Sequence, residues 1–229
     1  MEGGPEWGDA YEALAGARHS VRAFTKQPVP QDLLERLLRQ ARLAPSGANL
    51  QPGRFWAVEG AARERLVAAL CQAWQQQIPE AEDYDYFPRP MPLALRKRQV
   101  AAAQALYEAL GVARGDAQGR ALQFERNFRF FDAPVALVVT IERDFGAGGF
   151  MDLGMCLHGL MLAAQAQGLA SCAIGALASY PHIVRAALGL PETEQVVCGM
   201  ALGWEDREAP VNRTRTVREP LERYFSVLR

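Results

Sequence analysis

Arg18, Ser20 and Arg22 stand at alternate positions near the start of the 229-residue chain, and Arg213 and Arg215 are again two apart near its end. An extended backbone aims residues two apart at one target, so each group presents paired guanidinium forks, the first with a hydroxyl between them. That set suits a phosphate, which takes charge-assisted hydrogen bonds from such forks. A third group lies between Pro45 and Pro52, where Ser46, Gly47, Asn49 and Gln51 offer a hydroxyl, two carboxamides and a backbone free to turn. Such a loop presents donors and acceptors to a planar ligand with polar edges. Taken singly, each group reads equally well as a solvated surface cluster or an ordinary connection.

Other chemistry is thinly represented. His19, His158 and His182 are the only histidines, and none has an H-E-x-x-H spacing. His158 falls in an apolar stretch that predicts a core position. There is no G-x-S-x-G, P-loop or G-x-G-x-x-G; Gly146-Ala147-Gly148-Gly149 lacks the trailing Lys-Ser/Thr and reads as a hinge. Asp83 and Asp85, set among Tyr84, Tyr86 and Phe87, read as a solvated loop in preference to paired carboxylates. A phosphate grip and a polar clamp without an acid/base constellation is the pattern expected when a bound cofactor performs the reaction.

With 49% hydrophobic and 22% charged residues the chain has the composition of an ordinary globular protein. Its net charge of −1 argues against nucleic acid or an anionic membrane as the main partner. Positive charge is local and almost all arginine, with Lys26 and Lys97 the only lysines. Cys71, Cys156, Cys172 and Cys198 are widely spaced without a C-x-x-C, which predicts free thiols in a reducing, cytoplasmic setting. Met1–Ala10 lacks the basic and apolar regions of a signal peptide. The apolar stretch Leu153–Ala178 is interrupted by His158, Gln165 and Gln167, and reads as a buried helix and its exit, not a membrane span.

The elements that must position these groups follow from periodicity and punctuation. Helices are expected over Asp9–Ala17, Gln31–Ala44, Ala61–Gln75, Leu93–Leu110, Met151–Gln167 and Pro181–Leu188. Strands are expected over Arg54–Glu59, Pro134–Ile141, Ala170–Ile174 and Gln195–Trp204. Residues 77–92 look like a surface excursion or lid, and Gly111–Gly119 a turn-rich insert. Helix 151–167 is apolar nearly all round, so it needs cover on every side, and a second subunit is a source of that cover. The expectation is a single domain over 1–229, with a helical excursion or lid at 77–120 and an extended C-terminal arm at 205–229.

Four segments, R-H-S-V-R-A-F at Arg18–Phe24, A-R-L-A-P-S-G-A-N-L-Q-P at Ala41–Pro52, G-L-A-S-C-A-I-G at Gly168–Gly175 and N-R-T-R-T-V-R-E-P-L at Asn212–Leu221, together resemble the nitroreductase family of FMN-dependent oxidoreductases. The likeness spans nearly the whole chain in the right order. It implies an α+β fold with a central mixed, mainly antiparallel sheet flanked by helices, built as an intertwined homodimer that exchanges C-terminal arms. It also implies FMN as cofactor and NADH or NADPH as electron donor. Arg18, Ser20 and Arg22, with His19 among them, would hold the flavin phosphate and pyrimidine side, joined by Arg213 and Arg215. Pro45, Ser46, Gly47, Asn49 and Gln51, from the partner subunit, would meet the ring and ribityl groups. The backbone at Ile174 and Gly175 would approach the ring near N5. The implied activity is ping-pong hydride transfer to a planar electrophile such as a nitroaromatic or quinone. The alternatives are ene-reduction, reductive dehalogenation, or flavin storage without turnover. Two departures bear on substrate choice: Gly53 follows Pro52 where the family often has an aromatic residue, leaving Trp56 as a substitute wall, and Ile174-Gly175 lacks a following acidic residue. The Tyr84–Phe87 cluster, or Phe124, Phe128, Phe130 and Phe131, would line the substrate slot, with core packing the alternative for the second group.

Overall fold

The computed structural model describes residues 4–229, so the first residues of the Met1–Ala10 segment lie outside the described part. Helix α1 (Gly4–Ala17) is followed by α2 (Gln31–Ala41), strand β1 (Arg54–Val58), α3 (Gly60–Gln75), α4 (Leu93–Ala109) and α5 (Ala117–Glu125). Then come β2 (Val135–Glu142), α6 (Ala147–Ala166), β3 (Ala170–Ile174), α7 (Pro181–Leu188) and β4 (Glu194–Gly203). The four strands form one sheet in the order β1-β2-β4-β3, every neighbouring pair antiparallel. The parallel component is the isolated bridge between Ser20 and Ser171, which lays the start of the chain along the edge strand β3.

Strand β2 is buried on both faces, which is why its sequence is a continuous apolar run instead of an alternation. Ala136 and Val138 pack with Val58, Leu66, Leu70 and Val184, so α3 and α7 cover one face. Val135 and Leu137 pack with Leu34, Leu37, Leu160 and Met200, so α2 and α6 cover the other. Helix α2 reaches that core through Leu34, Leu37 and Ala41, the i, i+3, i+7 stripe of an amphipathic helix. Register in the β2–β4 ladder jumps from Val139↔Cys198 to Thr140↔Val196, leaving Val197 as the extra residue of a β-bulge.

Several boundaries differ from the sequence expectation. Helix α6 begins at Ala147, so Gly146–Gly149 is its first turn and not a hinge; Gly149 is needed there because a Cβ would fall 2.7 Å from the Phe145 ring. Helix α5 occupies the end of what reads as a turn-rich insert, capped by Asp116, whose carboxylate accepts from the Gly119 N–H. His158 is exposed, not core, and the same face of α6 carries Met151 (65% exposed) and Met155 (37%). Helix α6 is long and apolar enough to cross a membrane by length and composition, and in this fold it packs on the sheet. Cys71, Cys156, Cys172 and Cys198 are free thiols, all but Cys71 buried.

Candidate functional site

Residues after α1 run extended beside β3. Val21 and Phe24 turn into the core, whereas Arg18, Ser20 and Arg22 are only half-buried. The tail returns to this segment through Asn212, which is 3% exposed. Its Oδ1 accepts from the Arg22 N–H at 2.8 Å, and its Nδ2 donates to the Ala23 and Asp206 carbonyls at 2.8 Å each. That staple brings Arg18, His19, Ser20 and Arg22 against Thr214, Arg215 and Arg218 around one cavity of about 270 Å³ that no acidic residue among the described residues lines.

The cavity is polarised toward an anion. Arg215 Nη1 is held by the Asn212 carbonyl at 2.7 Å, and Arg22 Nη1 by the Ser20 carbonyl at 3.3 Å, so both forks are oriented before any ligand arrives. His19 bridges the Ala17 carbonyl and the Glu205 carboxylate at 3.1 Å each. Thr214 Oγ1 is buried and has no hydrogen-bond partner. A buried hydroxyl left unpaired beside clustered guanidinium groups is what a phosphate oxygen would satisfy. Arg213 is exposed and does not line this cavity.

The loop Pro45–Pro52 lies apart from the arginine cavity. Ala48, Asn49 and Gln51 all adopt left-handed backbone, with φ of 49°, 58° and 48°. Strain of this kind persists only where neighbours over-determine it. Here Asp152 of α6 accepts from the Gly47 N–H at 3.0 Å, Ser46 Oγ accepts from the Gln51 N–H at 3.0 Å, and Arg42 Nη2 donates to the Gln51 carbonyl at 2.8 Å. Asn49 and Gln51 are left exposed, with their carboxamides at the surface, while Pro45 and Ser46 border a small crevice with Asp152. Gly53 has φ +89°, and a Cβ there would fall 2.5 Å from Leu153 Cδ1, so the missing side chain is what lets α6 pack against this loop. Gly53→Ala is therefore expected to cost about 2–3 kcal/mol through backbone strain and overpacking. Thermal melting read by circular dichroism should show a fall of roughly 5–10 °C.

Ile174 is buried at the end of β3, and Gly175 follows at the start of a short 3-10 turn. Over Gly175 stands the ring of Tyr86: a Cβ at position 175 would fall 2.7 Å from its Cζ and Oη. Tyr86 belongs to an aromatic chain in which Tyr84 packs on Phe150 at 4.8 Å and Tyr86 on Phe87 at 4.7 Å. Burial pushes the phenols of both Tyr84 and Tyr86 above their ordinary value, so each stays neutral. Asp83 is not solvated. Its side chain is 7% exposed, and it meets Arg185 Nη1 at 2.5 Å and Arg143 Nη2 at 2.9 Å. Burial alone would raise its carboxyl, but the hydrogen bonds from Arg185, Arg143 and the Val196 N–H outweigh that and hold it below the usual range.

Among the remaining aromatic candidates, Phe128, Phe130 and Phe131 are at most 2% exposed in the core, and Phe124 stacks on Trp74 at 4.5 Å. Phe124 and Phe131 also border a cavity of about 190 Å³ that Arg22 and Tyr107 line. Trp56 packs in the same core and donates Nε1–H to Thr140 Oγ1 at 2.9 Å, so it supplies no wall for an open slot. Sequence reasoning passed over Asn212, Thr214 and Arg218, although all three stand inside or beside the N-R-T-R-T-V-R segment that drew attention to Arg213 and Arg215. It also passed over Asp152 and Arg42, which show no local signal because their partners are backbone groups of a loop.

Comparison with known proteins gives a consistent picture. The nitroreductase family profile matches residues 15–204. The chain is 37% identical over 209 residues to a chloronitrobenzene nitroreductase of Comamonas testosteroni, covering 90% of this chain and 92% of that protein. It is 30% identical over 223 residues to a 4-nitrobenzoate reductase of Nocardioides, covering 96% and 90%. Among solved structures, the FMN and NADPH-dependent nitroreductase NfnB of a Sphingopyxis strain aligns with a TM-score of 0.91 at 37% identity over 95% of this chain and 98% of that one. The FMN-dependent NfnB from Mycobacterium smegmatis in complex with NADPH aligns with a TM-score of 0.91 at 32% identity, covering 97% and 100%. A profile match across most of the described elements, and relatives of this identity along nearly the full length, establish that the chain belongs to the nitroreductase family.

Proposed function

We propose that the chain is an FMN-dependent NAD(P)H oxidoreductase that reduces planar nitroaromatic or quinone acceptors in a ping-pong cycle. The observation that carries this reading is the arginine cavity with its orphaned Thr214 hydroxyl, a donor set that fits a flavin phosphate. Bound FMN would supply the two-electron carrier between nicotinamide and acceptor, chemistry that no side chain here offers. Arg18, Arg22, Arg215 and Arg218 would bind the phosphate end, with Ser20 and Thr214 donating hydroxyl hydrogen bonds. Arg22 would also hold fixed positive charge beside the pyrimidine edge. The backbone at Ile174 and Gly175 would approach the flavin edge, and Tyr86, packed on Gly175, would wall the side of the slot that donor and acceptor occupy in turn.

A homodimer is part of the proposal. No residue of the Pro45–Pro52 loop lines the arginine cavity, so a second copy would complete the site by supplying that loop. The apolar face at Met151 and Met155, and the arm residues Val217 (93% exposed), Tyr224 (75%) and Leu228 (96%), would be covered in the same assembly. Free thiols suit a cytoplasmic location.

The visible spectrum of the purified protein tests the reading. Flavin bands that bleach on anaerobic addition of NADPH or NADH, and return with nitrobenzene or a quinone, are the expected result. Bands that persist would replace it with a flavin-binding role without nicotinamide turnover. A colourless protein that stays colourless after incubation with FMN would end it.

A further inference from the structure

We propose that Asp83 is a positioning residue for Tyr86: clamped between Arg185 and Arg143, its carboxylate fixes the segment that seats the Tyr86 ring against Gly175. The inference rests on the reading that donor and acceptor bind beside Tyr86.

Asp83 lies at the heart of an anchor drawn from distant parts of the chain. Arg185 comes from α7 and is 6% exposed in its side chain; Arg143 follows β2 and donates Nε–H to the Glu192 carbonyl at 2.6 Å. Arg185 Nη1 also donates to the Glu194 carbonyl at 3.2 Å, so both guanidinium groups are themselves tied to the backbone around the start of β4. Asp83 Oδ2 accepts from the Val196 N–H at 3.2 Å, and the next residue, Tyr84, donates its hydroxyl to the Val197 carbonyl at 2.7 Å. Both contacts fall at the β-bulge, where the ladder is locally irregular and its polar groups are open to partners. Two residues before Asp83, the Ala81 N–H donates to the Ser179 carbonyl at 3.0 Å. The excursion is therefore nailed at 81, 83 and 84, and Tyr86 follows two residues on, with its ring over Gly175.

A buried ion pair is a poor choice for stability alone, since well-packed apolar residues of the same volume serve as well or better. What it provides is one geometry: a carboxylate with three directed donors does not slide as an apolar contact does. An aromatic ring two residues from such a clamp keeps a fixed seat against Gly175. In this view the excursion is a fixed side wall rather than a swinging lid, and the ion pair decides how wide an acceptor fits beside Tyr86.

The test compares the FMN-loaded wild-type protein with Asp83→Asn, Asp83→Glu and Arg143→Gln. Asp83→Asn is expected to keep its flavin content, to raise the KM for nitrobenzene about tenfold with kcat within about twofold, and to be cut by chymotrypsin after Tyr86 at least about tenfold faster. Asp83→Glu should recover most of the protection, and Arg143→Gln, which removes the more exposed of the two cations, should lie between. Unchanged KM with unchanged cleavage would overturn the proposal. So would KM, kcat and flavin content all failing together with a lowered melting temperature, because that is general destabilisation. If Asp83→Asn does not fold, Arg143→Gln carries the same two readouts. A wild type without flavin, but with faster cleavage in the variants, would leave the anchor standing and sink the functional reading instead.

Discussion

Replacing Arg22 or Arg215 with alanine is expected to raise the dissociation constant for FMN about 10- to 100-fold, the effect of deleting one charge-assisted hydrogen bond to a phosphate. Both side chains line the cavity, and both are pre-oriented by backbone carbonyls. The control must be an arginine with no part in that cavity. Arg63 does not serve, because it is half-buried and donates to the Pro134 carbonyl at 3.3 Å, so its loss would disturb the fold. Arg39 is the better choice: its side chain is 79% exposed and pairs with Glu35 one turn away. Titration of apoprotein followed by quenching of flavin fluorescence gives the comparison. Equal affinities for the Arg22, Arg215 and Arg39 variants would remove the phosphate assignment.

Leu160→Ala is expected to cost about 3–4 kcal/mol, because Leu160 is fully buried where α6 meets the sheet and its neighbours Leu137 and Met200 cannot follow the shrinking side chain. For a chain of this size that lowers the melting temperature by roughly 10 °C. Leu160→Met, which conserves volume, should cost under about 1.5 kcal/mol. Protein and FMN concentrations must be held fixed in both melts, since ligand binding and self-association each shift the midpoint. A loss for the alanine variant no larger than for methionine would mean that α6 is not packed on β2 and β4 as described.

Much of the scaffold was legible because punctuation is local. Strand β3 and helix α7 fall where the sequence puts them: Gly168 ends the helix before one, and Pro181 and Gly189 bracket the other. The start of α6 was not legible, because glycines at a helix start resemble a loop and only Phe145 explains Gly149. His158 was misread for a related reason: a helix apolar on all sides carries no mark of which face is covered. The role of Asp83 lies beyond local reading altogether, since its partner Arg185 is 102 residues away. The arginine cavity sits between these cases. Spacing in the sequence pointed to Arg18, Ser20, Arg22 and Arg215, but only folding shows that Asn212 brings the two ends of the chain together and that Thr214 is left without a partner.

The Ser20–Ser171 bridge has a consequence for how this molecule stays in solution. Strand β3 is the last of the sheet, and an open edge of that kind is a template for strand addition by another chain. The Val21 N–H donates to the Ser171 carbonyl at 3.1 Å, so the segment bearing Arg18, Ser20 and Arg22 closes the beginning of that edge. The same few residues thus serve as ligand grip and as edge guard. A lineage that discarded the anion site by rebuilding this segment would also have to find another way to keep its sheets from joining.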